Sequence, residues 1–145
     1  FLINDRVDVA LVANADGVHL GKEDIPIKEA RKLLGRNKII GGTAHSLAEA
    51  KKCEKDGADY IGYGHIYPTK TKYKPEKPKG TEQLKLIVSK TCIPVIAIGG
   101  ISPANIEDVM KAGAHGAAVV GSVLKSSDPL NTLRSLRKKI YDRKK

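Results

Sequence analysis

The chain has no tryptophan and a single phenylalanine in 145 residues. A nucleic-acid surface built on stacked aromatic rings is therefore not expected. Cysteine is scarce too: Cys53 and Cys92 lie far apart and neither belongs to a CxxC pair. That argues against a disulfide framework and reads as two small hydrophobes in a reducing compartment, so the expected location is cytoplasmic. No apolar run approaches the roughly 20 residues of a membrane-spanning helix. The N-terminus, with Asp5 and Asp8 in its first turns, does not resemble a secretory signal. There is also no initiating methionine: Phe-Leu-Ile-Asn-Asp reads as a strand entered from a longer chain. Acidic residues are outnumbered, 16 against 26 Lys and Arg, giving a net charge of +10. The basic excess gathers at 70–79 and 134–145, where small anionic substrates and a helix C-terminus account for it without nucleic acid.

What is present is a regular alternation. Short apolar runs at 1–3, 15–21, 38–44, 58–64, 93–98 and 116–122 read as strands, with amphipathic helices between them. Asp24 can cap the helix that begins near Pro26, and Gly35 ends it. Ser102-Pro103 forms an N-cap and first-turn pair. Asp128-Pro129 opens a last helix whose Leu130, Leu133, Leu136 and Ile140 share one face. Strand starts recur at about 22, 21, 35 and 22 residues, one βα unit per repeat. Alternation of this kind implies a parallel sheet and one domain over residues 1–145.

Two sheet architectures fit six strands, an open doubly wound sheet and part of a closed barrel. Polar residues distinguish them. Asn4-Asp5, Glu23-Asp24, Thr43-His45, the 65–72 segment, Gly99-Gly100 and Gly121-Ser122 all follow strand C-termini. A barrel gathers them at one mouth, and the last two strands, each ending in glycine next to small polar residues, suit a phosphate held by backbone N–H groups. The expected fold is an α/β (β/α)8 TIM barrel, of which this chain holds about the C-terminal six units and lacks the first two. The long interval contains the stretch Gly62–Gly80, with two threonines, five lysines and three prolines. Its hydroxyls, ammonium groups and backbone N–H groups can cradle phosphate.

Six motifs in order resemble those of the thiamine-phosphate synthase family, which is related to the thiazole tautomerases. They are I-N-D at 3–5, G-V-H-L-G-K-E-D at 17–24, G-G-T-A-H at 41–45, Y-P-T-K-T-K at 67–72, I-P-V-I-A-I-G-G-I at 93–101 and A-V-V-G-S at 118–122. The resemblance implies a (β/α)8 transferase joining an aminopyrimidine diphosphate to a thiazole phosphate with release of pyrophosphate. It implies Mg²⁺ as cofactor, held by Asp5 and Asp24. Asn4, Thr43 and Lys72 would hold the pyrimidine diphosphate, with Thr43 and Lys72 catalytic. Thr69, Lys70, Thr71, Gly100, Val120 and Gly121 would hold the thiazole phosphate. No partner other than these small molecules is expected, neither nucleic acid nor membrane, and a homo-oligomer stays open. His65 departs from the synthase pattern, which usually has proline there. The tautomerases carry a catalytic histidine at that place, so proton transfer on a thiazole phosphate is the runner-up. A non-catalytic phosphate-binding barrel fragment is the third reading, since two absent units would leave half a pocket.

Overall fold

The computed structural model describes residues 1–71 and 75–141. Six strands among them form one parallel sheet in sequence order: β1 (Leu2–Asn4), β2 (Gly17–Leu20), β3 (Ile39–Ala44), β4 (Tyr60–Gly64), β5 (Val95–Ile98) and β6 (Gly116–Ala118). The helices between them are α1 (Val7–Val12), α2 (Ile27–Leu34), α3 (Leu47–Lys55), α4 (Gly80–Lys90) and α5 (Ile106–Lys111). Then follow a single turn, α6 (Gly121–Leu124), and the closing helix α7 (Pro129–Tyr141). Neighbouring strands in unbroken chain order, each joined by a crossover, curl the sheet into an α/β half-barrel. This arrangement rules out the doubly wound alternative, which would reverse its strand order at a switch point.

Side chains alternate across the sheet. Val18, Leu20, Ile40, Ile61, Tyr63, Val95 and Ala97 are buried in the core. The other face carries Leu2, Asn4, His19, Thr43, Tyr60, Ile96 and Ile98 among glycines 17, 41, 62, 64 and 116. On that concave face Ile39 remains 43% and Ile98 42% exposed, in contrast to the sealed face opposite. The buried side is itself divided. A large cluster runs from Ala44 to Leu136 through β4, β5, α3, α4 and α5, and a small one holds Val7, Ala10, Ala15, Val18, Leu20, Ala30 and Ile40.

The strands are joined at their starts by a repeated device. Asp16 accepts from the Phe1 amino group at 2.6 Å, Asp59 Oδ2 from Ile40 N–H at 2.7 Å, and His115 Nδ1 from Val95 N–H at 3.3 Å. In each case the backbone N–H of the same residue returns the bond to the carbonyl of that partner. Asp16, Asp59 and His115 each follow an alanine just ahead of a strand, and each ties that strand to the one before it.

Four local expectations are corrected. Asp24 does not cap α2, because its Oδ2 takes the Gly21 N–H at 2.6 Å and Pro26 stands at the helix start. Ser102 and Pro103 form a turn ahead of α5, which begins only at Ile106, since Asn105 Oδ1 turns back onto the Ser102 N–H. The last strand ends at Ala118, and Gly121-Ser122 begins α6 rather than ending the strand. Leu136 is buried and Ile140 packs on the large core, but Leu130 and Leu133 stay exposed because α7 meets the core along its second half.

Candidate functional site

The strand C-termini bring the polar residues together as the sequence suggests. Asp5 ends the turn after β1 in the left-handed region (φ 65°), with its N–H donating to the His19 carbonyl at 2.8 Å. A non-glycine residue in that region is a recognised signature of functional sites. Asp24 follows the neighbouring strand, its carboxylate oriented by Gly21. Register aligns Asn4 with His19, His19 with Gly41 and Gly41 with Tyr60, so one row crosses four strands on the concave face.

At the centre of that row lies a group that motif reading left unused. His19 Nε2 is 2.8 Å from Thr43 Oγ1, and its Nδ1 is 2.9 Å from Tyr60 Oη, with the two rings stacked. Glycine makes the room. A Cβ at Gly41 would collide with the Tyr60 ring and lie 2.5 Å from His19 Nδ1, and one at Gly62 would lie 2.9 Å from His19 Cε1. Burial holds the imidazole below its ordinary pKa, against the opposing pull of the Asp5 and Asp24 carboxylates. Both acids therefore act on the same ring. Burial likewise pushes the Tyr60 phenol up, so it remains protonated. The signal available in the sequence was glycine within β3 and β4, where Gly41 and Gly62 leave room for the His19 ring of β2.

The other half of the mouth is built from backbone. Ile66 and Tyr67 N–H groups donate to the carbonyls of Ile98 and Gly99, which lays the start of the long loop along the end of β5. A Cβ at Gly100 would meet the Pro68 carbonyl oxygen at 2.5 Å, so only glycine, here at φ 65°, lets the loop sit this close. The loop then reaches β6: Thr71 Oγ1 would lie 3.0 Å from a Cβ on Gly121, and the Thr71 N–H donates to Thr69 Oγ1 at 3.3 Å. Thr69, Thr71, Gly100 and Gly121 are thereby gathered at the ends of β5 and β6, with Lys70 and Val120 beside them. Lys72 lies outside the described residues. His65 is buried at the root of this loop, and neither its Nδ1 nor Ser122 Oγ has a hydrogen-bond partner among the described residues.

Among the described residues no group of three or more His, Cys, Asp or Glu side chains could hold a metal alone. Two carboxylates ending adjacent strands are the donor set that fits Mg²⁺, which keeps several ligands as water and substrate phosphate oxygens. Nor is any helix among the described residues long and apolar enough to cross a membrane.

The chain is similar to known proteins over most of its length. The thiamine monophosphate synthase family profile matches residues 1–123. Thiamine-phosphate synthases of Chlorobium phaeobacteroides and Chlorobium limicola are 47% and 49% identical over 136 residues, 94% of this chain. The chain spans a little under two thirds of those relatives, 66% and 65% of their lengths. A solved thiamine phosphate pyrophosphorylase from Pyrococcus furiosus superposes with a TM-score of 0.89 at 44% identity, over 98% of this chain and 67% of that one.

Proposed function

The chain belongs to the thiamine monophosphate synthase family, and from that premise we propose that it carries the substrate-binding mouth of a Mg²⁺-dependent thiamine-phosphate synthase. In this reading residues 1–145 are one domain and make up the C-terminal six units of an eight-unit barrel. Support comes from β1 and β6 being edge strands among the described residues, from the uncovered Ile39 and Ile98 of the concave face, and from the share of its relatives that the chain spans. Two further βα units would complete the wall that those side chains face.

The reaction joins an aminopyrimidine diphosphate to a thiazole phosphate. Asp5 and Asp24 would hold Mg²⁺, which when bound neutralises charge on the diphosphate oxygens. Asn4 and Thr43 orient that group, and Lys72 offsets the negative charge that grows as pyrophosphate leaves. Thr69, Lys70 and Thr71, with the backbone at Gly100, Val120 and Gly121, fix the thiazole phosphate so that the ring nitrogen faces the pyrimidine methylene. Holding both reactants in this way contributes several kcal/mol, on the order of 7 or more where alignment is close. No side-chain nucleophile is needed. The observation that carries the reading is that Asp5 and Asp24 follow the C-terminal ends of adjacent strands, beside the His19 that bonds Thr43.

The test is pyrophosphate release from both substrates with Mg²⁺, using this chain joined to two upstream βα units of a relative. Turnover that Asp24→Ala reduces at least 100-fold is expected. Unchanged turnover in that variant sinks the metal assignment. A second reading, isomerisation of a thiazole phosphate by proton transfer at His65, is favoured by the unpartnered buried Nδ1. Metal-independent isomerisation lost in His65→Ala would select it. Phosphate binding without either turnover would leave a non-catalytic barrel.

A further inference from the structure

The three-residue ladder Tyr60–His19–Thr43 has a direction, and the direction decides what Thr43 can offer a ligand. A neutral imidazole carries one N–H, so two arrangements are available. In one, Nδ1–H donates to Tyr60 Oη and Nε2 accepts the Thr43 hydroxyl hydrogen. Thr43 then shows only lone pairs to the mouth, which repel an anion, and the Tyr60 hydrogen has no acceptor among the described residues other than the ring itself. In the other, the Tyr60 hydroxyl donates to Nδ1 and Nε2–H donates to Thr43 Oγ1. Every hydrogen then points the same way along the chain, and the Thr43 hydrogen is left over at its end.

We propose that Tyr60 and His19 are positioning residues that hold this second arrangement, so that the Thr43 hydroxyl is presented as a donor to an anionic phosphoryl oxygen at the strand C-termini. The geometry permits it. Both contacts are of normal hydrogen-bond length, at 2.9 and 2.8 Å, and the ring is fixed between Gly41 and Gly62, which leave no space for a bulkier neighbour. The Tyr60 phenol is the more acidic of the two hydroxyls and so the better donor, and the Thr43 hydroxyl is the better acceptor. Second partners that fix a histidine tautomer are a general way of aiming a group at a ligand. The inference rests on the reading that Thr43 faces a diphosphate.

Two measurements judge it separately. Long-range ¹H–¹⁵N NMR of the chain reports the His19 tautomer directly and needs no variant: Nε2–H is expected, and Nδ1–H overturns the inference whatever the ligand. Calorimetry with inorganic pyrophosphate and Mg²⁺ reads the consequence. Thr43→Val is expected to weaken binding about tenfold, the order of one hydrogen bond to a charged acceptor. Tyr60→Phe is expected to weaken it about 3- to 10-fold, and the double variant no more than Thr43→Val alone, because both act through the same hydrogen. Additive losses would mean that Tyr60 acts merely as packing, and would overturn the ladder while leaving the diphosphate reading intact. If wild-type chain binds no pyrophosphate, the diphosphate reading fails and the proposed role of Thr43 fails with it, whichever tautomer the spectrum shows.

Discussion

The mouth has two sides made by opposite means. Around β1 to β3 the candidate site is made of side chains: Asp5 in a left-handed turn, Asp24 held by Gly21, and His19 bonded at both nitrogens. Around β5 and β6 it lies in backbone, where glycines admit the loop carrying Thr69 and Thr71. The supports differ as well. The side-chain half stands on the smaller core cluster of seven buried residues, the backbone half on one of eighteen. Where backbone forms the cradle, the elements beneath must be rigid, since a shift of a strand moves the site. Where side chains form it, local hydrogen bonds fix the geometry and the core underneath can be thinner.

That contrast can be tested. Leu84→Ala, in the large cluster, is expected to cost about 2–5 kcal/mol by urea unfolding, toward the upper end of that range. Leu20→Ala, in the small cluster, belongs at the lower end because fewer neighbours surround the cavity. Equal costs would remove the distinction in core depth. Gly41→Ala is expected to lose about 1–3 kcal/mol, since its methyl would collide with the Tyr60 ring. Gly121→Ala meets the end of a threonine side chain and should cost under about 1 kcal/mol while weakening phosphate binding. Native-state hydrogen exchange should then show β1 and α1 opening at lower free energy than β4 and β5. Uniform protection across the sheet would contradict this. The smallest effect is chemical: burial raises the Cys53 thiol pKa, so a disulfide reagent at pH 8 should modify exposed Cys92 first.

The sequence carried the architecture because each strand and helix repeats one pattern, and tertiary contacts seldom overrode it. Where they did, a nearby polar atom was the cause. Asp24 precedes α2, but its carboxylate takes the Gly21 N–H, and Asn105 Oδ1 takes the N–H of Ser102, which was expected to cap the helix. Leu130 and Leu133 have helical spacing, yet periodicity does not say how far along its length a helix touches its neighbours. That Asp5, Asp24 and Thr43 lie at strand C-termini was legible from the βα repeat, whereas the roles expected of them came from the family resemblance. The pairing of His19 with Tyr60 was not legible, for they lie 41 residues apart and meet only when β3 is inserted between their strands.

The strand-start clips carry an implication for how such a chain can change over time. Each joins two neighbours only 15, 19 or 20 residues apart, so every couple of strands brings its own alignment with it. A copying or exchange event that respects those couples would move a self-registering cassette. A break between the members of a couple, within α3 for example, would part the Asp59 carboxylate from the Ile40 N–H and remove that alignment.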